Sequence, residues 1–384
     1  MIISRIGTTL AAVAAVGLAG AVQAAEVKLP KTLAWSAYNV GTTGYNQSVG
    51  IGKALKEAYG VSLKVVPGKN DISRMTPLRR GKVHFTANGG GTFFAFEGVF
   101  NFAAPDWGPQ PIRLLASATS KANLQLGTAK DANIKSYKDL KGKKVGTVRG
   151  SPALDVGTQA IMAFADISWD DVTRVEFAGY GAMWAGMVNG KIDAAFASTV
   201  SGPTKKLEAS PRGIYWPSMP HDDNEGWARV KAVAPYFVRH VGTIGSGIEA
   251  SNPNEGAAYP YPILITYQDK QPADLVYSMT KAVHVQFDNY KKVEPAAAGW
   301  SGANQTFQWA VPYHDAAVKY WKEAGLWTDA MQKHNYKLVD RGNVMAAAWA
   351  TMKGKKLEKD AFKAEWMKVR AAALTAAGHD PIWK

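Results

Sequence analysis

The chain has 384 residues, 47% of them hydrophobic, and a formal charge of +14, which is apolar material enough for two domains of ordinary size. It contains no cysteine, so a disulfide framework, a thiolate metal site and a lipid-anchored lipoprotein are all excluded. Its basic residues are scattered, with KGKK (141–144) as the densest cluster and no aromatic-basic module, so the charge points to anionic small molecules or surfaces and not to nucleic acid.

In chain order, residues 1–24 read as a signal peptide. Arg5 precedes an uncharged stretch rich in Ala, Val and Leu that closes on Val22-Gln23-Ala24, and the apolar part is too short and too diluted by Gly and Ala to cross a membrane. Export to the periplasm with cleavage after Ala24 is the expectation.

Behind the leader, residues 32–40 have the pattern of a strand, Gly41-Thr42-Thr43-Gly44 that of a turn, and 45–59 that of a helix ended by Gly60. A strand over 61–66 and a helix over 72–80 follow, and GKVHF (81–85) leads into a third strand. The same succession returns 109 residues later: KKVGTV (143–148), a turn at Arg149-Gly150-Ser151-Pro152, a helix over 153–165, TRVEF (173–177), a helix over 181–189 and GKIDAAF (190–196). At that offset Gly41 falls on Gly150 and Thr42 on Ser151. Two α/β lobes of parallel-sheet type are predicted.

In open α/β sheets, ligands bind beyond the carboxyl ends of strands, where loops run into helix N-termini. Facing lobes bring two such edges to one cleft. The candidate binding residues are therefore Thr42, Thr43, Gly44 and Tyr45 in the first loop, Gly150 and Ser151 in its repeat, and Asn88, Gly89, Ser198 and Thr199 after the two later strands. Arg149 ends a strand, where a guanidinium can grip a carboxylate through two parallel hydrogen bonds, and Tyr180 would wall the cleft. Ordinary N-caps for Thr42 and Ser151, a surface or interlobe salt bridge for Arg149 and a core position for Tyr180 are the alternatives. The chain has no G-x-S-x-G, G-x-x-x-x-G-K-[ST] or H-E-x-x-H motif, and its seven histidines lack metal-ligand spacing. No catalytic residue, metal or cofactor is predicted.

The segment PYHDAAVKYWKEAGLW (312–327) resembles the C-terminal signature of the TAXI-type solute receptors, which serve tripartite ATP-independent periplasmic (TRAP) transporters, through Pro312, His314, Ala317, Tyr320, Trp321, Glu323 and Gly325. GKIDAAF, TYQDK (266–270) and DLVYSMTKAVH (274–284) support the resemblance. It implies a type II periplasmic-binding-protein fold, with two α/β lobes joined by a hinge and the ligand cleft between them. Lobe 1 would comprise 25–123 and 259–384, and lobe 2 would comprise 124–258 with an insertion near 206–258. The resemblance further implies a monomeric receptor that captures a small organic anion, of the dicarboxylate, oxoacid or acidic amino acid class, for the permease subunits of a TRAP transporter. An exported enzyme on the same frame is the alternative. The basic amphipathic stretch 361–378 is expected to lie back on lobe 1 as a packed helix.

Overall fold

The computed structural model describes residues 26–384, so the signal-peptide reading lies outside the described residues. The first lobe runs β1 (Thr32–Ala37), α1 (Thr43–Tyr59), β2 (Ser62–Pro67), α2 (Asp71–Arg79), β3 (Phe85–Asn88), α3 (Gly91–Glu97) and β4 (Ile112–Ser117). The second runs β5 (Leu124–Ala129), β6 (Lys144–Val148), α4 (Pro152–Phe164), β7 (Thr173–Phe177), α5 (Tyr180–Val188), β8 (Ala194–Ser198) and α6 (Gly202–Glu208). The segment that follows adds β9 (Ile214–Tyr215), α7 (Asn224–Val233) and the hairpin β10 (Val238–Gly242) and β11 (Asn254–Ala258). The chain then re-enters the first lobe with β12 (Ile263–Tyr267), α8 (Ala273–Val285), α9 (Phe287–Tyr290), α10 (Asp315–Glu323), α11 (Asp329–Ala350) and α12 (Lys359–Ala376).

Each lobe carries one five-stranded sheet, ordered β2-β1-β3-β12-β4 in the first and β7-β6-β8-β5-β9 in the second. In both, the third strand of the order meets an antiparallel neighbour that has just arrived from the other lobe: β12 against β3, and β5 against β8. This is the two-lobe type II periplasmic-binding-protein fold. The chain passes between sheets twice, over 118–123 and 259–262. These crossings pair with one another, since Ala118 N donates to Pro262 O at 3.0 Å and Tyr261 N to Ala118 O at 2.6 Å.

The 109-residue repeat has a direct structural cause. Helices α2 and α5 begin and end 109 residues apart, as do the starts of α1 and α4. Gly41 and Gly150 hold φ of 82° and 71°, and Gly81 and Gly190 hold 64° and 74°, left-handed values that a side chain resists. Each lobe thus turns its chain at the same two places with the same residue type. Strands β3 and β8 are buried along their whole length, as expected of inner strands covered on both faces.

The segment after α6 closes over both lobes. Arg229 of α7 donates to Ala163 O at 2.9 Å and Phe164 O at 2.7 Å, tying α7 to the carbonyl end of α4. Tyr236 lies against Phe93 and Phe94 of α3, with ring centroids 5.8 and 5.9 Å away, and Trp383 near the C-terminus donates to Val233 O at 3.2 Å. Helices α11 and α12 pack on lobe 1 around a buried triad. Glu97, at the end of α3, accepts from Arg341 Nε at 2.6 Å and Nη2 at 2.8 Å, and also from Arg370 Nη2.

Candidate ligand-binding site

A cavity lies between the lobes, and the first residues of all six helices α1–α6, or the loop residues just before them, reach its wall: Thr43, Asp71, Gly90, Ala153, Tyr180 and Ser201. The arrangement follows from the topology, because every strand-to-helix loop of a parallel sheet emerges on the same edge. Unpaired N–H groups and helix dipoles make that edge favourable to negative charge.

The charged residues on the wall are Asp71 and Arg74, both in the first turns of α2 and both buried. Asp71 Oδ1 accepts from Arg74 Nη2 at 2.5 Å, and Oδ2 accepts from Ala153 N of the opposite lobe at 2.8 Å. A carboxylate of the protein therefore already occupies the N-terminus of α4. The guanidinium lies over the Tyr38 ring, 4.2 Å from its centroid. Burial works against the charge of Arg74, yet Asp71 and the neighbouring tyrosines outweigh it and hold its pKa above the usual value. Its Nε and Nη1 are buried without a hydrogen-bond partner among the described residues, as is the hydroxyl of Thr43. Unmet buried donors of this kind are costly unless something accepts from them.

Tyrosines form the rest of the polar wall. Tyr38 OH meets Ser151 Oγ at 3.2 Å across the lobes, and Tyr180 OH donates to Ser201 Oγ at 3.1 Å. Burial, with Asp71 nearby, raises the Tyr38 pKa well above its ordinary value, and burial does the same for Tyr180 and Tyr259. These hydroxyls stay protonated and can donate. Glycine makes room for the whole group: a Cβ at Gly91 would come within 2.8 Å of Asp71 Cγ, at Gly68 within 2.6 Å of Arg74 Cγ, and at Gly89 within 2.9 Å of the Tyr261 ring. The Asn88–Thr92 loop is small because side chains of its own lobe and of the crossing segment press on it.

Thr42, Thr43, Gly89, Tyr180 and Ser198 of the predicted set reach the cavity. Gly44 and Tyr45 stand behind that wall on α1, Gly44 against the Tyr261 hydroxyl, while Asn88 Nδ2 donates to Met75 Sδ at 3.1 Å. Gly150 supplies the turn, and its carbonyl accepts from Ile72 N at 3.3 Å across the cleft. Ser151 meets the cavity only through Tyr38, and Thr199 Oγ1 donates to Ile244 O at 2.9 Å. Arg149 is placed differently from the prediction. Its side chain is 79% exposed and pairs with Glu176 at 2.7 Å, because the side chain leaves β6 toward solvent and β7, away from the cleft. Its carbonyl accepts from Asn70 Nδ2 at 2.8 Å. The cation of the site is Arg74, which the sequence reading missed together with Asp71, Tyr38 and the two crossing-segment tyrosines, Tyr259 and Tyr261.

The 312–327 signature lies elsewhere. His314 caps α10, its Nδ1 accepting from Ala316 N at 3.1 Å, Trp321 Nε1 donates to Leu115 O at 2.9 Å, and Tyr320 OH meets His284 Nδ1 of α8 at 2.6 Å. It fastens α10 to β4 and α8 and touches no part of the cavity.

Among solved structures, the chain is similar to the alkanesulfonate-binding protein SsuA from Xanthomonas axonopodis pv. citri bound to MOPS, at 11% identity and TM-score 0.45, covering 80% of this chain and 83% of that one. It is also similar to the periplasmic aliphatic sulphonate binding protein SsuA from Escherichia coli, at 12% identity and TM-score 0.42, covering 91% and 94%. An ancestral arginine-binding protein bound to arginine matches at 14% identity and TM-score 0.44, covering 69% of this chain and 97% of that one. A sequence model of the NMT1-like family matches residues 39–325, which include the whole second sheet, the first sheet except β1, both crossings and every residue of the cavity wall except Tyr38, and the chain belongs to that family.

Proposed function

We propose that this protein is a periplasmic solute receptor that closes on a small organic anion and delivers it to a membrane permease. The observation that carries the reading is Arg74: a buried guanidinium in an interlobe cavity, with two donors that no protein atom among the described residues satisfies. A carboxylate meets both the charge and the donors. The titratable groups around it are tyrosines kept protonated by burial and an Asp–Arg pair engaged with each other, which suit holding a solute and not moving its protons. The resemblance of 312–327 and its partner segments to the TAXI receptors supports a permease of the TRAP type, and the leader-like residues 1–24 support export.

Calorimetry with a panel of organic acids on purified wild type, Arg74→Lys and Arg74→Ala tests the reading. Arg74→Ala should cost about 2–5 kcal/mol of binding, the usual loss when one member of a buried charge pair goes, and Arg74→Lys should restore only part of it because a point charge cannot reproduce the planar fork. Unchanged affinity in both variants would remove Arg74 from the site.

A further inference from the structure

We infer that the solute carries a single negative charge and a short apolar remainder, so that the receptor selects small monocarboxylates over dicarboxylates. The inference rests on the organic-anion reading above and narrows it. Charge comes first. Among the described residues of the cavity wall, Asp71 and Arg74 alone are charged, and they pair with each other. One incoming carboxylate shares the Arg74 guanidinium with Asp71 and can draw on Nε and Nη1 of Arg74 and the hydroxyl of Thr43, donors that are buried and unmet among the described residues. A second carboxylate finds no second cation on the wall. Of the three lobe 2 helix N-termini at the wall, that of α4 already holds Asp71 through Ala153 N, and the first N–H groups of α5 and α6 hold Lys69 O and Gly41 O through Tyr180 N and Gly202 N. Burying an uncompensated carboxylate is heavily disfavoured.

The remaining wall agrees with the charge. Leu124, Leu154 and Phe196 are 5%, 8% and 3% exposed and, with Ala153 and Ala197, give the cavity an apolar side. That surface rewards a methyl or short alkyl group and compensates no polar head. Size sets the third limit. The cavity volume is about 40 Å³, space for only a few waters, so the smallest organic acids enter with the least opening of the lobes.

The test uses the mature protein and three-carbon acids that separate charge from size: pyruvate and malonamate, both monoanions, and malonate, a dianion close in size to malonamate, with succinate and glutamate as longer acids carrying two carboxylates. Titration calorimetry at neutral pH and constant ionic strength should give saturable binding of pyruvate or malonamate, with malonate weaker than malonamate by at least about a hundredfold. Malonate within about threefold of malonamate, or binding of succinate or glutamate, each with two carboxylates, but of neither pyruvate nor malonamate, would overturn the monocarboxylate inference and leave the organic-anion receptor standing. No heat with any acid of either charge, together with melting temperatures that none of them moves, would take down the receptor reading and the inference with it.

Discussion

Replacing Glu97 with Gln should destabilise the protein more than any surface substitution, although the residue makes no contact with the cavity. Its carboxylate is fully buried and is shared by Arg341 and Arg370, whose side chains are 7% and 0% exposed. With Gln at this position, two guanidinium charges stay buried beside one another without their hydrogen-bonded counter-ion, with Asp380 as the remaining acid acting on Arg370. Breaking one buried pair typically costs about 3–5 kcal/mol. Here the backbone limits the damage, since Arg370 also donates to Glu97 O, Pro381 O and Trp383 O at 3.1, 2.8 and 2.8 Å, and Arg341 donates to Asp380 O at 2.7 Å. Those bonds survive in the variant, so the expected loss is near the low end, about 3 kcal/mol. Urea denaturation followed by tryptophan fluorescence measures it. The reasoning also predicts where damage begins: α11 and α12 lose their anchor to α3, so limited proteolysis should cut between them, in 353–358, before it cuts either sheet. A loss below about 1 kcal/mol would show that the backbone acceptors hold the two arginines unaided, and would refute the assignment of Glu97 as the keystone.

Arg149→Ala should change solute affinity by less than about twofold and leave stability nearly unmoved, because its partner Glu176 is a surface residue and exposed pairs contribute little; a large affinity loss by calorimetry would return Arg149 to the site. Asp71→Ala removes the acceptor for Ala153 N and the partner of Arg74, so small-angle scattering without ligand should show a larger radius of gyration than wild type, and an equal radius would mean that closure does not depend on this link. Burial lifts the Glu294 carboxyl from 4.5 to about 7, against the hydrogen bond from Gln47. The folded protein then keeps a proton that the unfolded chain has released, so this contribution to stability is complete below about pH 4.5 and fades as pH rises to about 7. The melting temperature of wild type minus that of Glu294→Gln should therefore fall across that window, and a flat difference would contradict the raised value.

The two-lobe frame was legible because it is written in backbone constraints. Gly41 and Gly150, or Gly81 and Gly190, must be glycine for local reasons, and local reasons survive in a sequence. The site was legible only in part. Thr42 and Thr43, chosen from their place before a helix, reach the cavity wall, but an acidic residue at the start of a helix with a basic one three positions on, as at Asp71 and Arg74, is a pattern common on exposed helices and gives no sign of a site. Tertiary packing buries them, with Tyr38 under Arg74 and Ala153 N of lobe 2 on Asp71. Arg149 failed for the converse reason: its position at a strand end was inferred correctly, but it is the first residue beyond β6, and there its side chain turns outward to pair with Glu176 of β7. Tyr259 and Tyr261 sit in a Tyr-Pro-Tyr-Pro run that resembles a linker and becomes a wall only once the crossings pair. The clearest motif, 312–327, records how α10 is fastened and says nothing of the solute.

The placement of β12 also fixes a sequence of events. Strands β3 and β4 do not touch, because β12 lies between them, and its residues, 263–267, follow the entire second lobe. As the chain emerges, lobe 2 has all its strands within 124–215 and can assemble as one contiguous unit. Lobe 1 must wait with β3 exposed along one edge and β4 unattached until residue 267 arrives. The half of the protein made first is therefore the half that folds last. Until β12 is made, the N-terminal segment is the one part of the chain whose sheet has no means of closing.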